Sequence, residues 1–231
     1  MSTLWATLAD LVLPNPCAAC GRQGERLSFD VCAACVRVID ELRASPTRPT
    51  PAPPGLPPCF ALGEYRSELR ELIIGYKERG RHRLARPLGA LLAEAVATAV
   101  PRGTAPLVMP LVYIPDTGGA ARRRHGDHMR SLALRASERL REAGRSTVVV
   151  NALRTRSTAD SAELDAGQRA AAARGKFALR RGLPAGAEVV LVDDIITTGW
   201  TLAAASLTLA GAGVIVKACV ALAATQLRVN F

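Results

Sequence analysis

The stretch at residues 189–201 constrains the fold of this chain more than any other part of its sequence. Four apolar residues, mostly β-branched, are followed at once by two carboxylates, Asp193 and Asp194. A turn rich in hydroxyl groups comes next, and then an apolar run at residues 202–212. An unalternated β-branched run is typical of a buried strand in a parallel sheet, where helices connect the strands. The stretch therefore predicts an α/β fold in which a strand, an acidic pair, a turn and a helix follow one another.

The turn between the acidic pair and the helix has the features of a phosphate-binding site. Backbone N–H groups at a helix N-terminus favour an anion, and a glycine lets the backbone approach it closely. The residues that we expect to bind the phosphate are Thr197, Thr198, Gly199 and Thr201. Open α/β sheets bind ligands at the carboxyl ends of their strands, where Asp193 and Asp194 would accept sugar hydroxyls. We therefore predict a sugar phosphate as ligand; the alternative is a core strand whose acidic pair caps the next helix by chance.

The composition narrows the class of protein. The chain has 231 residues, 49% of them hydrophobic, which is enough for one α/β domain and a small module. It has no apolar run near the roughly 18 residues of a transmembrane helix, and no basic segment precedes its first apolar stretch. We therefore expect a cytoplasmic protein with no membrane partner. The net charge of +10 suits polyanions such as a sugar pyrophosphate or nucleic acid; an arginine-rich composition bias is the alternative.

Two Cys-x-x-Cys pairs lie near the N-terminus, separated by eleven residues. Their members, which we predict to bind a metal, are Cys17, Cys20, Cys32 and Cys35. Four thiolates at this spacing are typical of a structural Zn²⁺ site. Disulfides are the alternative, although they belong to secreted proteins, and a redox motif normally has a single pair.

Residues 45–58 contain seven of the fifteen prolines of the chain. Such a composition predicts a semi-rigid extended linker. It divides the chain into an N-terminal helix and four-Cys module at residues 1–44, the linker, and an α/β domain at residues 59–231. Cys59 and Cys219 have no partner at the spacing of metal ligands, and we interpret both as small core residues.

Strand and helix patterns alternate beyond the linker. The predicted strands are residues 61–65, 107–114, 147–152, 189–192 and 214–222. The predicted helices are residues 68–78, 84–100, 128–143 and 202–212. This alternation predicts a mostly parallel sheet flanked by helices.

A second candidate anion-binding loop follows the predicted strand at residues 107–114. Its residues are Asp116, Thr117, Gly118 and Gly119, and a run of three arginines that ends at Arg124 comes next. A Gly-rich turn between a strand and a helix can bind phosphate, and arginines can neutralise pyrophosphate. Lys77 is one of only three lysines and could reach the same anion. The alternatives are an ordinary loop, a solvated basic turn and a lysine that caps a helix C-terminus.

Together these motifs resemble the ComF family, which joins a four-Cys zinc finger to a domain of the type I phosphoribosyltransferase kind. The resemblance covers about residues 10–224, and residues 189–201 are similar to the family's phosphoribosyl-pyrophosphate (PRPP) signature. It implies a fold like that of type I phosphoribosyltransferases. It also implies that Asp193 and Asp194 are catalytic residues at the ribose hydroxyls, and that the turn at residues 197–201 holds the 5′-phosphate. The loop after residue 115, with Lys77 and Arg124, would bind pyrophosphate, and Mg²⁺ would accompany PRPP.

The resemblance leaves two functions open. One is an enzyme that transfers phosphoribosyl from PRPP to an acceptor and releases pyrophosphate, with residues 154–177 as a flap over the site. The other is an adaptor in competence and DNA uptake that binds single-stranded DNA or a helicase partner. The family's Arg-Gly-Phe-Asn-Gln segment reads His-Gly-Asp-His-Met at residues 125–129, and the sequence identifies no acceptor.

Overall fold

The computed structural model of the protein describes residues 15–104, 106–116, 127–156, 175–180 and 183–225. The predicted N-terminal helix and most of the predicted flap lie outside these residues. In the described part of the chain, no helix combines the length and apolar character needed to cross a bilayer.

The described chain forms ten strands and five α-helices. The strands are β1 Leu27–Ser28, β2 Val31–Cys32, β3 Ser45–Thr47, β4 Cys59–Glu64, β5 Met109–Tyr113, β6 Thr147–Val150, β7 Leu153–Thr155, β8 Phe177–Leu179, β9 Glu188–Ile196 and β10 Ile215–Ala224. The helices are α1 Ala33–Asp40, α2 Ser67–Glu78, α3 Ala85–Ala99, α4 His128–Glu142 and α5 Trp200–Ala210. Short 3₁₀ turns at His82–Leu84 and Arg102–Thr104 flank α3.

Six strands form the central sheet, in the order β3-β4-β10-β9-β5-β6. Every neighbouring pair is parallel except β3 and β4, which are antiparallel. Parallel strands need crossover connections, and helices supply them between β4 and β5, β5 and β6, and β9 and β10. The predicted α/β class, with a mostly parallel sheet flanked by helices, is confirmed.

Strand β9 lies between β10 and β5 and is covered on both faces. Val190 and Val192 belong to the core that includes α3 and α4, whereas Val189 and Leu191 pack in the core that includes α5. A strand buried on both faces carries an unbroken apolar run, which explains the pattern in the sequence. Because successive side chains alternate between faces, the two carboxylates that follow leave the strand on opposite sides of the sheet.

Two differences between the structure and the sequence predictions concern the strand before residue 115 and the predicted linker. The strand predicted at residues 107–114 begins only at Met109, because Leu107 is 93% exposed and Val108 is also exposed. The predicted linker is not a linker throughout, because its first residues form the edge strand β3. Pro46 is tolerated there because an edge strand does not need every backbone N–H for pairing. The division of the chain into three domains stays a prediction.

Cys59 and Cys219 are both buried, as predicted for small core residues. They are also direct partners in the register of β4 and β10. The sequence gives no sign of this pairing, because 159 residues separate the two cysteines and only the strand order brings them together.

Helices α3 and α4 are in close contact at Gly89. A Cβ added there would overlap the Cβ of Arg135 and lie 3.3 Å from the backbone nitrogen of Ala136. We expect Gly89→Ala to lower the free energy of unfolding by about 1–3 kcal/mol, measured by urea denaturation. Gly103→Ala is the control, because nothing lies within 4 Å of its added Cβ, and it should change stability by less than about 0.5 kcal/mol. Equal effects would contradict the close approach.

Candidate functional site

The acidic pair lies at the carboxyl end of β9, directly before a turn and the N-terminus of α5. Strand β9 continues through the pair to Ile196, and the amide of Asp194 donates to Oδ1 of Asp193 at 2.9 Å. The turn ends at Gly199, which caps α5 in the left-handed region with φ of 76°. An added Cβ at Gly199 would lie 3.0 Å from Leu56 and 3.1 Å from Pro49. Glycine is therefore required both by the backbone conformation and by the predicted linker that packs over the turn.

A lysine reaches the same helix N-terminus from the neighbouring two-stranded sheet. Lys176 directly precedes β8, and its Nζ donates to Oγ1 of Thr201 at 2.9 Å. Burial lowers the pKa of Lys176, although the charge of Asp193 acts in the opposite direction. The helix dipole disfavours a cation at the N-terminus of α5. An anion bound between Lys176 and this helix end would therefore be attracted by both.

Asp194 is held on the other face of the sheet by a lysine from α2. The Nζ of Lys77 donates to Oδ2 of Asp194 at 2.5 Å. The Asp194 side chain is 9% exposed and that of Lys77 27%, so this ion pair is largely removed from water. Breaking such a pair leaves an uncompensated buried charge, so each partner constrains the position of the other.

His128, the first residue of α4, joins Asp194 to the end of β5. Its Nε2 lies 3.2 Å from Oδ2 of Asp194, and its Nδ1 bonds Oδ2 of Asp116. All three side chains are at most 10% exposed. Because each ring nitrogen faces a carboxylate, both nitrogens carry protons and the ring is an imidazolium. Burial opposes this charge, but the two carboxylates raise the pKa of His128 to about 9.

The two adjacent carboxyl groups therefore have different environments. Burial raises the pKa of Asp193 to about 8, and the neighbouring charge of Asp194 adds to this shift. Burial acts in the same direction on Asp194, but the hydrogen bond from His128 and the charge of Lys77 lower its pKa to about 2. Asp194 is thus a fixed anion, whereas Asp193 is a group that can hold a proton near neutral pH.

The residues predicted as site residues fall into three groups. Those that the structure joins in one network are Lys77, Asp116 and Asp194. Those that border the turn before α5 are Asp193, Thr197, Thr198, Gly199 and Thr201. Those that lie outside the described residues are Thr117, Gly118, Gly119 and Arg124.

Sequence reasoning did not single out His128 as a site residue, although a signal was available. In a parallel sheet the carboxyl ends of β5 and β9 meet at one edge, and the helix after β5 starts near that edge. A histidine at the first position of that helix can therefore reach both strand ends.

The four predicted metal ligands form a compact cluster at the other end of the described chain. The Sγ atoms of Cys17, Cys20, Cys32 and Cys35 all lie within 4.8 Å of one another, and the group could hold a metal ion. The amide of Cys32 donates to Sγ of Cys17 at 3.3 Å. Burial alone would raise the pKa of Cys17, but backbone amides that include those of Cys20 and Cys32 lower it to about 6. Burial and the neighbouring cysteines raise the pKa of Cys35, so the four thiols ionise unequally, and a bound cation would favour the thiolate form of each.

Comparison with known proteins bears on the acidic pair and the turn. A model of the phosphoribosyl transferase domain matches residues 130–230, a range that contains both. Among solved structures, one similar chain is adenine phosphoribosyltransferase (APRT) from Leishmania tarentolae, with 17% identity, 81% of this chain and 73% of that chain covered, and a TM-score of 0.36. A TM-score this low supports no conclusion about the fold or function of this chain. Curated proteins give no match.

The described residues form an α/β fold with a mostly parallel sheet, residues 130–230 match the phosphoribosyl transferase domain, and a four-Cys cluster precedes the sheet in the sequence. The match starts after His128. The cysteine cluster, Lys77 and Asp116 therefore lie outside the matched range.

The raised pKa of Asp193 predicts a stability that depends on pH. The folded protein keeps a proton that the unfolded chain releases above about pH 4, so ionisation of the unfolded chain lowers stability as the pH rises from about 4 to about 8. Asp193→Asn removes this effect. We expect its Tm to exceed that of the wild type by about 2–4 °C at pH 7 and to approach it at pH 4, by calorimetry. The exposed Asp40→Asn is the control; a lower Tm for Asp193→Asn at pH 7 would contradict the account.

Proposed function

We propose that the protein binds PRPP at the carboxyl end of β9 and transfers its phosphoribosyl group to an acceptor. The observation that carries this proposal is the order of strand, acidic pair, left-handed glycine and helix N-terminus within residues 188–210. It is supported by the phosphoribosyl transferase domain matched over residues 130–230. An anion site beside two carboxylates has the chemistry needed for a phosphorylated sugar.

Each half of the proposed site has a separate task. The turn at residues 197–201 holds the 5′-phosphate, and Lys176 supplies a cation beside it. Asp193 and Asp194 accept hydrogen bonds from the ribose hydroxyls and so orient the sugar. Asp116 lies at the start of the loop that we propose to bind pyrophosphate, together with Lys77, Thr117, Gly118, Gly119 and Arg124.

In the proposed reaction the bond between C1 of the ribose and the pyrophosphate oxygen breaks, and the acceptor's nucleophile forms the new bond to C1. The pyrophosphate leaves with the bonding electron pair. Positive charge develops on the sugar ring, and the carboxylates at the end of β9 lie where they would stabilise it. No covalent intermediate with the protein is required.

Mg²⁺ fits this arrangement as a companion of PRPP. Among the described residues, only the cysteines place one ligand atom from each of three or more side chains close enough together to hold a metal ion, so these residues form no carboxylate cage for Mg²⁺. Mg²⁺ commonly binds through substrate phosphates, one or two carboxylates and water. When bound, it would polarise the leaving pyrophosphate.

We further propose that the protein is of the ComF type and that its four cysteines hold a structural Zn²⁺. Tetrahedral Zn–S bonds of about 2.3 Å place the sulfurs roughly 3.8 Å apart. The 3.9 Å between Sγ of Cys20 and Sγ of Cys32 is consistent with that spacing. A role in DNA uptake, with single-stranded DNA or a helicase as partner, stays a prediction from the family resemblance and the net charge of +10.

Binding of PRPP tests the proposed function directly. We expect titration calorimetry with Mg–PRPP to give heat with the wild type, and Asp193→Asn/Asp194→Asn to bind at least about 100-fold more weakly because the anionic acceptor Asp194 is lost and the hydrogen bonds of both carboxyl groups are changed. Glu188→Gln is the matched control, since Glu188 lies at the opposite end of the same strand and pairs with Lys217. It should bind as the wild type does. The absence of heat with the wild type would refute the proposal.

The proposed zinc site predicts about one zinc ion per chain in protein purified without chelator. Cys32→Ser should reduce the zinc content several-fold and lower the Tm, because one of four ligands is lost. Cys59→Ser, a change at a buried cysteine outside the cluster, should leave the zinc content unchanged. Elemental analysis measures both, and a wild-type content near zero would disprove the site.

A further inference from the structure

We propose that His128 is a positioning residue of the donor site: it clamps Asp116 and Asp194 together, so that the carboxylates at the ends of β5 and β9 keep one fixed arrangement when a sugar pyrophosphate binds. This inference rests on the proposed function and adds to it a residue that the matched domain does not contain.

The first argument is the geometry of the clamp. The imidazolium of His128 uses one nitrogen for each carboxylate, and the backbone N–H of His128 adds a bond to Oδ2 of Asp116 at 3.3 Å. Histidine can therefore bond at once to the ends of two strands that are themselves neighbours in the sheet. A neutral amide side chain of similar size could not donate in two opposite directions with a full positive charge.

The second argument is that α2 holds the clamp in place. The hydroxyl of Tyr76 donates to the backbone carbonyl of His128 at 3.1 Å, and the Tyr76 ring meets the imidazole edge-on at 6.1 Å. The next residue, Lys77, binds the carboxylate of Asp194. Among the described residues, the charged groups bonded to the imidazole are Asp116 from the end of β5 and Asp194 from β9, with Lys77 behind Asp194, and the ring also interacts electrostatically with Asp127 and Asp193. Consecutive residues of one helix fix both the backbone of His128 and one of its partners.

The third argument concerns the oxygen atoms that the clamp leaves for a ligand. Lys77 and His128 both bond Oδ2 of Asp194, and Oδ1 accepts no hydrogen bond within the described part of the chain. Asp193 similarly accepts the amide of Asp194 through Oδ1. Each carboxylate is therefore anchored through one oxygen, and the other can accept a sugar hydroxyl. Anchoring of this kind reduces the entropy lost when the ligand binds.

If the network served only to stabilise the fold, it would contribute little to the free energy of unfolding. Two buried carboxylates, an imidazolium and an ammonium sum to zero charge, but taking such groups out of water costs about as much as their attraction returns. Buried charge networks with displaced pKa values are concentrated at functional sites. This one lies at the sheet edge where α/β proteins bind their ligands.

Calorimetry with Mg–PRPP tests the role of His128 in binding. We expect His128→Asn to bind about 10- to 100-fold more weakly than the wild type, because Asp194 and Asp116 lose their common anchor. His82→Asn is the matched control, since His82 is exposed and lies in the 3₁₀ turn before α3. An affinity of His128→Asn within about 2-fold of the wild type overturns the inference.

A double-mutant cycle separates positioning from a general loss of structure. If His128 acts by holding Asp116, the loss in His128→Asn/Asp116→Asn will be clearly smaller than the product of the two single losses. If the loss of affinity in the double mutant equals the product of the two single losses, the clamp is contradicted. All affinities are compared at a temperature well below the lowest Tm among the variants, so that unfolding does not contribute.

Nuclear magnetic resonance of ¹⁵N-histidine-labelled protein tests the clamp without PRPP. We expect the His128 ring to keep both N–H protons from about pH 6 to about pH 8. Asp116→Asn should perturb the Nδ1 proton and Asp194→Asn the Nε2 proton. A His128 ring that loses a proton near pH 6.5 overturns the clamp. No heat from wild type with Mg–PRPP would instead defeat the proposed function and the donor-site role with it, while these spectra still decide whether the clamp exists.

Discussion

The pairing of β9 on both of its edges is the constraint on which the rest of the site depends. Its register with β10 runs to Ile196, and its register with β5 ends at Val192. The carboxyl end of β9 is therefore fixed on one edge and open on the other, where the chain after β5 passes. Two carboxylates, the turn that we propose to bind phosphate and the first turn of α4 converge in that space. A shift of β9 by one residue would exchange the faces of Asp193 and Asp194 and disconnect both from their partners.

The two faces of β9 give its two carboxylates different properties. Asp194 lies on the face covered by α2 and α4, where Lys77 and His128 keep it ionised. Asp193 lies on the face of α5, where burial raises its pKa to about 8. In the proposed site, the fixed anion Asp194 would stabilise positive charge that develops on the sugar, and Asp193 would hydrogen-bond a ribose hydroxyl. The arrangement reduces stability, which is a common property of functional sites.

The sequence predicted those parts of the fold that depend on local pattern. The strands and helices around the acidic pair follow from apolar runs and helical periodicity, and the cysteine cluster follows from its spacing. The edge strand β3 was missed because a proline-rich segment reads as a linker, and pairing with β4 depends on the rest of the sheet. The exposure of Leu107 was not predicted, because an apolar run in the sequence does not distinguish the residues of a strand from those that directly precede it. His128 was missed because its two partners come from distant parts of the chain and meet only in the folded sheet.

The central claim is that the acidic pair and the turn after it form the donor half of a PRPP site. A crystal structure of the protein with Mg–PRPP tests this most directly. The account predicts the ribose hydroxyls within hydrogen-bond distance of Asp193 and Asp194, the 5′-phosphate on the amides of residues 197–201, and His128 still between Asp116 and Asp194. PRPP bound elsewhere on the protein, or bound with its phosphate away from this turn, would contradict it.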